Sequence, residues 1–313
     1  SLDEINKLTK NLGKSLLNIN LTGGEPFARK DIIDIAKIYL KNTLIQSMYI
    51  TTNASFPDRI ETFAKSINSI DRELELNFQI SIDELPEKHN KIRKIRNLFD
   101  NCYDTYRRIQ KLNLDNVNPV VCITVSLENC DNIKNIFYYL TSKCKFDSLK
   151  CSIVRDEGIY KIPFEKKRKI YDAYTWLTSK IQEMIKEKKI NNYNLKSIQG
   201  RLNNKKDNIS WDMINKIYMK PQYISPCHAG SLFGIITSNG LVYPCEILED
   251  RMLGNLREND MDFMKIWSNK LNKRTKEFII KSKCNCTYEC ALSCNILGNW
   301  RYQPQLAKAA IGY

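Results

Sequence analysis

Long apolar runs are missing from this sequence. No stretch of about 18 or more hydrophobic residues occurs, so nothing in it reads as a membrane-spanning helix. The opening residues, Ser1 to Lys10, lack the apolar segment of an export signal, and the chain is expected to work in the cytoplasm. Internal repeats and extended low-complexity tracts are also missing, which argues against a solenoid or a disordered scaffold. Histidine is scarce: His89 and His228 are the only two in 313 residues. Neither stands in a pattern that names a catalytic acid or base.

What is present fits one sizeable core with a smaller appendage, since 313 residues at 42% hydrophobic content approach the size at which single cores stop growing. The formal charge of +14 comes largely from lysine, in runs such as Lys166-Lys167-Arg168-Lys169 and Lys186 to Lys189. Such runs read first as solvated faces. An anionic partner, whether a nucleic acid, an acidic leader peptide or a phosphorylated substrate, is the weaker reading.

The eleven cysteines are unevenly spread. Without an export signal they read as metal ligands and buried thiols rather than as a disulfide framework. Cys102, Cys122, Cys130, Cys144 and Cys151 sit singly within apolar patterns, as small buried hydrophobes do. The other six fall between Cys227 and Cys294.

Residues 1 to 155 alternate β-rich and amphipathic runs. Strands are predicted at Leu17 to Leu21, Ser47 to Thr51, Leu74 to Ile82, Pro119 to Ser126 and Leu149 to Val154. Helices are predicted at Leu2 to Leu12, Lys30 to Tyr39, Ile60 to Ile67, Leu98 to Leu112 and Ile133 to Leu140. This rhythm implies an α/β fold of parallel strands with right-handed crossovers, a barrel or a doubly wound sheet. A long charged helix, Phe164 to Lys188, follows. The Asn- and Lys-rich stretch Ile190 to Asn208 then reads as a flexible bridge. From Cys227 the pattern becomes a hairpin turning at Ser238-Asn239-Gly240, with helices near Asp262 to Trp267 and Lys270 to Lys281.

In parallel α/β folds, functional groups collect at the C-terminal ends of strands. The first predicted strand ends in Leu21-Thr22-Gly23-Gly24-Glu25-Pro26: two glycines that let a ligand approach the backbone, an anion, and a proline that fixes the exit. The other strand ends are polar too: Thr51-Thr52-Asn53, Ser81-Ile82-Asp83, Thr124 with Ser126, and Arg155. Together they resemble a cofactor pocket, although each alone also suits a strand-to-helix cap.

Gly-Gly-Glu-Pro after a strand, Thr-Thr-Asn ending the next, and Ser81-Ile82-Asp83 with His89 and Arg93 downstream resemble radical SAM enzymes of the SPASM and twitch branch. That resemblance implies a partial (β/α)6 barrel whose pocket holds S-adenosylmethionine. By position it assigns Gly23, Gly24 and Glu25, with Pro26, to the methionine end and Ser81 to the ribose, with Asn53, Asp83 and Arg93 lining the pocket. His89 reads as structural. The chain departs from the family in one respect: the CxxxCxxC loop that binds the cofactor-cleaving 4Fe-4S cluster is not found in residues 1 to 313. A preceding segment carrying it is expected, and the chain as written is not expected to cleave S-adenosylmethionine.

The cysteine-bearing end has a more specific spacing. Cys227, twelve residues, Gly240, four residues, Cys245 places two thiols either side of a hairpin. Cys284-Asn285-Cys286-Thr287-Tyr288-Glu289-Cys290 follows, then Cys294. Four thiolates from a hairpin and a distant turn can enclose a cubane cluster. Thiolates also suit zinc, which leaves a zinc ribbon as the rival.

The resemblance favours iron-sulfur. A complete SPASM module has seven cysteines for two clusters, whereas six here imply one auxiliary 4Fe-4S cluster, with Cys227, Cys245, Cys286 and Cys290 as its ligands. Cys284 competes for a place, because alternate residues of an extended Cys-x-Cys point to opposite sides. Cys294 reads as packing, and His228 as a neighbour that orients Cys227. Tyr243, Glu246 and Glu289 flank the cysteines as candidate substrate contacts.

The expected organisation is a partial barrel over residues 1–189, a bridge over 190–226 and an auxiliary domain over 227–313. The resemblance implies a 5′-deoxyadenosyl radical that abstracts hydrogen from a peptide or small-molecule substrate, with electrons from a donor such as flavodoxin or ferredoxin. Modification of a peptide or natural product comes first. A dehydrogenase, epimerase or coupling enzyme for a small anionic metabolite comes second, and a non-catalytic iron-sulfur scaffold third.

Overall fold

The computed structural model of the chain describes residues 1–157, 162–193 and 195–312. Its first half follows the predicted alternation: α1 (Leu2–Leu12), β1 (Asn18–Leu21), α2 (Ile32–Asn42), β2 (Ser47–Thr52), α3 (Pro57–Ile70), β3 (Glu75–Ser81), α4 (Pro86–Arg93), α5 (Leu98–Lys111), β4 (Val117–Val125), α6 (Ile133–Tyr138) and β5 (Leu149–Ile153). The five strands form one sheet in sequential order. Pairing is parallel, with Leu21 beside Ile50, Thr52 beside Ile80 and Ser81 beside Cys122. Parallel strands joined by helices must bury both faces, and Met48, Ile50, Phe78, Ile80, Val121 and Ile123 are all fully buried. Each such side chain stabilises the fold by roughly 1.5–3 kcal/mol.

Edge-to-face rings tie helix to sheet at the first site-bearing turn. Phe27, just after Glu25, meets Phe63 of α3 at 5.5 Å between centroids, and Phe63 meets Phe78 of β3 at 6.2 Å.

The second half holds α7 (Phe164–Lys186), α8 (Ile198–Ile217), β6 (Ile235–Ile236), β7 (Leu241–Tyr243), β8 (Gly254–Asn255), α9 (Phe263–Trp267), α10 (Lys270–Lys281), α11 (Glu289–Leu297) and α12 (Gln303–Ala310). The last three strands make an antiparallel sheet in the order β6-β7-β8. Gly240 supplies the turn between β6 and β7 with φ +87°, a conformation that side-chain-bearing residues avoid. No helix among the described residues is long and apolar enough to cross a membrane.

Two compact units divide the chain. One comprises Ser1–Thr124, Asn132–Lys150 and Met261–Phe263, and the other Val125–Asp131, Cys151–Asp260 and Met264–Tyr313. The stretch expected as a flexible bridge is helical from Ile198 onward. Ser197 caps α8 by accepting from Gly200 N–H at 2.9 Å, and Ile209, Met213, Ile214 and Ile217 recur at helical spacing on a buried face. Its asparagines and lysines hid that stripe. Asn194, inside the expected bridge, and Tyr313, at the end of the expected auxiliary domain, lie outside the described residues, as do residues 158–161 within the expected barrel.

Phe78→Ala removes the ring that Phe27 and Phe63 share and leaves a cavity under the first strand end. The expected cost is roughly 3–5 kcal/mol, read as a lower urea midpoint with an unchanged slope.

Candidate functional site

Because the strands run parallel, Gly23-Gly24-Glu25, Asn53, Ser81 and Asp83 all emerge at the same edge of the sheet. Gly23 has φ +135°, and a Cβ built on either Gly23 or Gly24 would meet nothing within 4 Å, so the backbone here faces open space. Glu25 fastens the turn. Its Oε1 accepts from Phe27 N–H at 3.0 Å and Thr52 Oγ1 at 2.8 Å, and its Oε2 accepts from Asn53 N–H at 2.7 Å. A carboxylate has about four acceptor positions, so one remains for a further donor such as a ligand ammonium. Pro26 begins the short turn Pro26–Ala28.

The other expected pocket residues are held in different ways. Asn53 accepts from Ser55 N–H at 2.9 Å and from Ser55 Oγ at 2.6 Å, which closes a local turn. Ser81 is half-buried, and its hydroxyl makes no hydrogen bond among the described residues. Asp83 and Arg93, read separately in the sequence, are an ion pair, and Asp83 Oδ1 also accepts from Thr124 N–H at 2.9 Å. Thus the ends of β3, α4 and β4 are joined through one carboxylate.

Two buried polar groups support this edge. Glu84, fully buried and not singled out in the sequence, accepts from Lys88 Nζ at 2.8 Å, Asn132 Nδ2 at 2.7 Å and Leu85 N–H at 3.0 Å. His89, also fully buried, accepts from Asp83 N–H at 3.4 Å through Nδ1, and its Nε2 has no partner among the described residues. Burial pushes the His89 imidazole down to about 4.

The second unit gathers the late cysteines. Cys227, Cys284 and Cys286 line one cavity with Ser225, Asn285 and Asn295. Cys227 and Cys284 are hydrogen-bonded to each other, and Cys245 and Cys286 are near enough to act on Cys284 electrostatically. Of the expected quartet, Cys227, Cys245 and Cys286 thus lie near one another and near Cys284.

The alternation expected of an extended Cys-x-Cys fails here because the segment turns. Lys283 has φ +50° and Cys284 N–H closes on Ile279 C=O at 3.1 Å, so Cys284 and Cys286 border the same cavity. Cys290 and Cys294 lie four residues apart on α11, with Cys290 interacting with the Tyr288 hydroxyl. Asn295, unremarked in the sequence, bonds the Cys227 sulfur and accepts from His228 N–H at 2.8 Å. Among the described residues the buried His228 Nε2 has no partner.

The electrostatics of the set are those of soft ligands awaiting a cation. The bond from Cys284 pulls the Cys227 thiol down to about 6, whereas burial pushes Cys286 up to about 12, Cys294 up to about 11, and Cys245 and Cys290 upward. Among the described residues no three His, Cys, Asp or Glu side chains already converge on one ion position. Three thiols bordering one cavity, with Cys245 near them, are a donor set whose chemistry fits an iron-sulfur cluster.

Of the flanking candidates, Glu246 pairs with Arg155 at 2.9 Å, and Glu289, the first residue of α11, accepts from Ile153 N–H at 3.2 Å. Burial pushes the Glu289 carboxyl up to about 7. Tyr243 closes β7 opposite Ile235.

A parallel α/β unit with polar groups at one strand edge, in a chain that also carries a cysteine-lined module, is a cofactor-binding enzyme fold. Residues 1–136 match the model of the radical SAM superfamily, and residues 227–295 match the SPASM iron-sulfur cluster-binding domain. The chain thus joins a radical SAM segment to a SPASM iron-sulfur cluster-binding segment. Segments of these two kinds are those of enzymes that use S-adenosylmethionine and iron-sulfur clusters.

A curated relative is 7-carboxy-7-deazaguanine synthase of Methanocaldococcus jannaschii, 33% identical over 134 residues; the match covers 42% of this chain and spans 54% of that relative's length. Among solved structures, polyhistidine-tagged anSMEcpe with bound AdoMet aligns at a TM-score of 0.61 and 16% identity, covering 100% of this chain and 86% of that one. Native anSMEcpe with bound AdoMet and Kp18Cys peptide aligns at 0.58 and 16% identity, covering 100% and 90%. At that identity the likeness shows the fold.

The depressed His89 gives this edge a pH signature. The unfolded imidazole protonates near its ordinary 6.5, while the folded one resists until about 4. The stability it contributes is therefore complete above about 6.5 and is lost as pH falls from there towards 4. His89→Gln, which keeps an acceptor but cannot charge, is expected to remove ~2–3 kcal/mol of the acid-induced loss. Urea midpoints at pH 7 and pH 4.5 check it.

Proposed function

We propose that this chain belongs to a radical SAM enzyme that abstracts hydrogen from a peptide substrate and so modifies it. The observation that carries the reading is the co-occurrence of two separate donor sets: the strand-edge groups around Glu25 and the thiol set of Cys227, Cys245, Cys284 and Cys286. Bound together, the cofactors of this family supply one-electron cleavage of S-adenosylmethionine, the source of hydrogen-abstracting power.

The chain's own residues bind and orient. Gly23 and Gly24 let the cofactor's methionine end approach the backbone, and the remaining acceptor position of Glu25 takes its ammonium. Ser81 offers a free hydroxyl to the ribose. Asp83 and Arg93, being paired, shape the pocket wall and leave little net charge there. The four thiols would hold an auxiliary 4Fe-4S cluster, with Cys290 the alternative fourth ligand. The CxxxCxxC loop for the catalytic cluster is not among residues 1–313, so turnover is a property to be tested on the full gene product.

A peptide substrate draws support from the fold shared with anSMEcpe, whose solved forms include one with bound peptide. A small anionic heterocycle is the second reading, favoured by the stretch shared with 7-carboxy-7-deazaguanine synthase and by the formal charge of +14.

Anaerobic reconstitution of the full gene product, with iron and sulfide analysis and electron paramagnetic resonance, tests the reading. Two clusters are expected, one of them perturbed by S-adenosylmethionine. A single cluster indifferent to the cofactor sinks the catalytic reading in favour of a scaffold, and zinc without iron overturns the assignment of the thiol set. At the other site, Glu25→Gln removes the anion opposite the ammonium and weakens three strand-end bonds. The expected effect is roughly 10- to 100-fold weaker S-adenosylmethionine binding, the scale of one charge-assisted hydrogen bond, measured by equilibrium dialysis.

A further inference from the structure

The segment leaving β5 touches two separate pieces of the cysteine module, around Glu246 and along Thr287 to Glu289, at or between residues beside a cysteine. Ile153 N–H donates to Glu289, next to Cys290, at 3.2 Å. Arg155 Nη1 pairs with Glu246, next to Cys245, at 2.9 Å, and its guanidinium lies 4.7 Å from the centre of the Tyr288 ring, between Cys286 and Cys290. Glu157 accepts from Thr287, next to Cys286, through N–H at 2.9 Å and Oγ1 at 3.1 Å. Five residues thus reach the neighbours of three of the six late cysteines.

Among these contacts, that of Arg155 alone joins two opposite charges. Both partners are about one-third exposed, at 34% and 37%, so the pair is neither dry enough to be prohibitively costly nor wet enough to be fully screened. Without the guanidinium, the Glu246 carboxylate would stand unbalanced one residue from a thiolate ligand. Reduction adds negative charge to a cluster, and net charge near it is one of the terms that set its potential.

We infer that Arg155 is a positioning residue for the auxiliary cluster: by neutralising Glu246 and covering Tyr288 it holds the cluster's potential within reach of its electron partner. This rests on reading the thiol set as an iron-sulfur site. Arginine suits the task because its planar, permanently charged head pairs with a carboxylate and stacks on a ring at the same time, whereas lysine pairs but does not stack.

The test uses the 313-residue chain, whose thiol set is the site to be filled, reconstituted with ferrous iron and sulfide and titrated with dithionite while paramagnetic resonance follows the cluster. Arg155→Met is expected to load iron and to move the midpoint potential to a more negative value. Adding Glu246→Gln should move it back towards wild type, and Arg155→Lys should stay close to wild type. A purely structural role would lower iron content and leave the potential of the loaded fraction unmoved.

The inference is overturned if Arg155→Met leaves that potential unchanged, or if the double variant lies no nearer wild type than the single one. Should Arg155→Met load no iron, recovery of iron by the double variant supports the coupling and continued emptiness refutes it. Wild-type protein that takes zinc and no iron overturns the cluster reading and this inference together, whereas normal iron with unmoved potentials removes only the role of Arg155.

Discussion

The strand-edge site depends on the register of four parallel strands. With Leu21 beside Ile50, Thr52 beside Ile80 and Ser81 beside Cys122, four chain segments leave the sheet at one edge, and whatever polar groups they carry must share it. Aliphatic side chains and the Phe27-Phe63-Phe78 contacts hold that register from within. A slip of one residue would turn Met48 and Ile50 outward and carry Asn53 away from Glu25, so the packing that stabilises the sheet is also what assembles the site.

Carboxylates then fasten the edge. Glu25 links the ends of β1 and β2, Asp83 links β3, α4 and β4, and Glu84 links α4 to Asn132 ahead of α6. Burying an anion is costly unless its lone pairs are met, and each of these three is met by at least two donors. The same side chains that could face a cofactor thus already hold the scaffold. A substitution at Glu25 or Asp83 would disturb position and binding together, so spectroscopic and binding readouts carry more information there than turnover.

Much of this was legible in the sequence because its signals were local. Period-two β-rich runs between amphipathic helices located all five sheet strands to within about two residues, a usual error for boundaries, and Gly23-Gly24-Glu25-Pro26 announced a turn by composition alone. What escaped was non-local or disguised. The pairing of Asp83 with Arg93 depends on where α4 ends, that of Glu157 with Thr287 joins residues 130 apart in the chain, and Glu84 and Asn295 act through distant partners. α8 was masked by asparagine and lysine, whose polarity covers a buried stripe of Ile209, Met213, Ile214 and Ile217. That Cys284 and Cys286 border one cavity, next to a left-handed Lys283, was hidden too, because a lysine does not advertise that conformation.

The thiol set shows why the cysteine loops are braced from outside. Of the six late cysteines five are pushed upward, four by burial first and Cys284 by its bond to Cys227 first, which favours their protonated form. A soft metal must displace those protons, which makes its binding pH-dependent, and the protein has to hold the ligands in place until that exchange occurs. Cys227 is the exception: Cys284 and Asn295 both favour its thiolate, and Asn295 fixes the loop through His228 N–H. The loops that carry these thiols are kept near one another from outside: bonds to Glu246, Thr287 and Glu289 brace them without using a single cysteine.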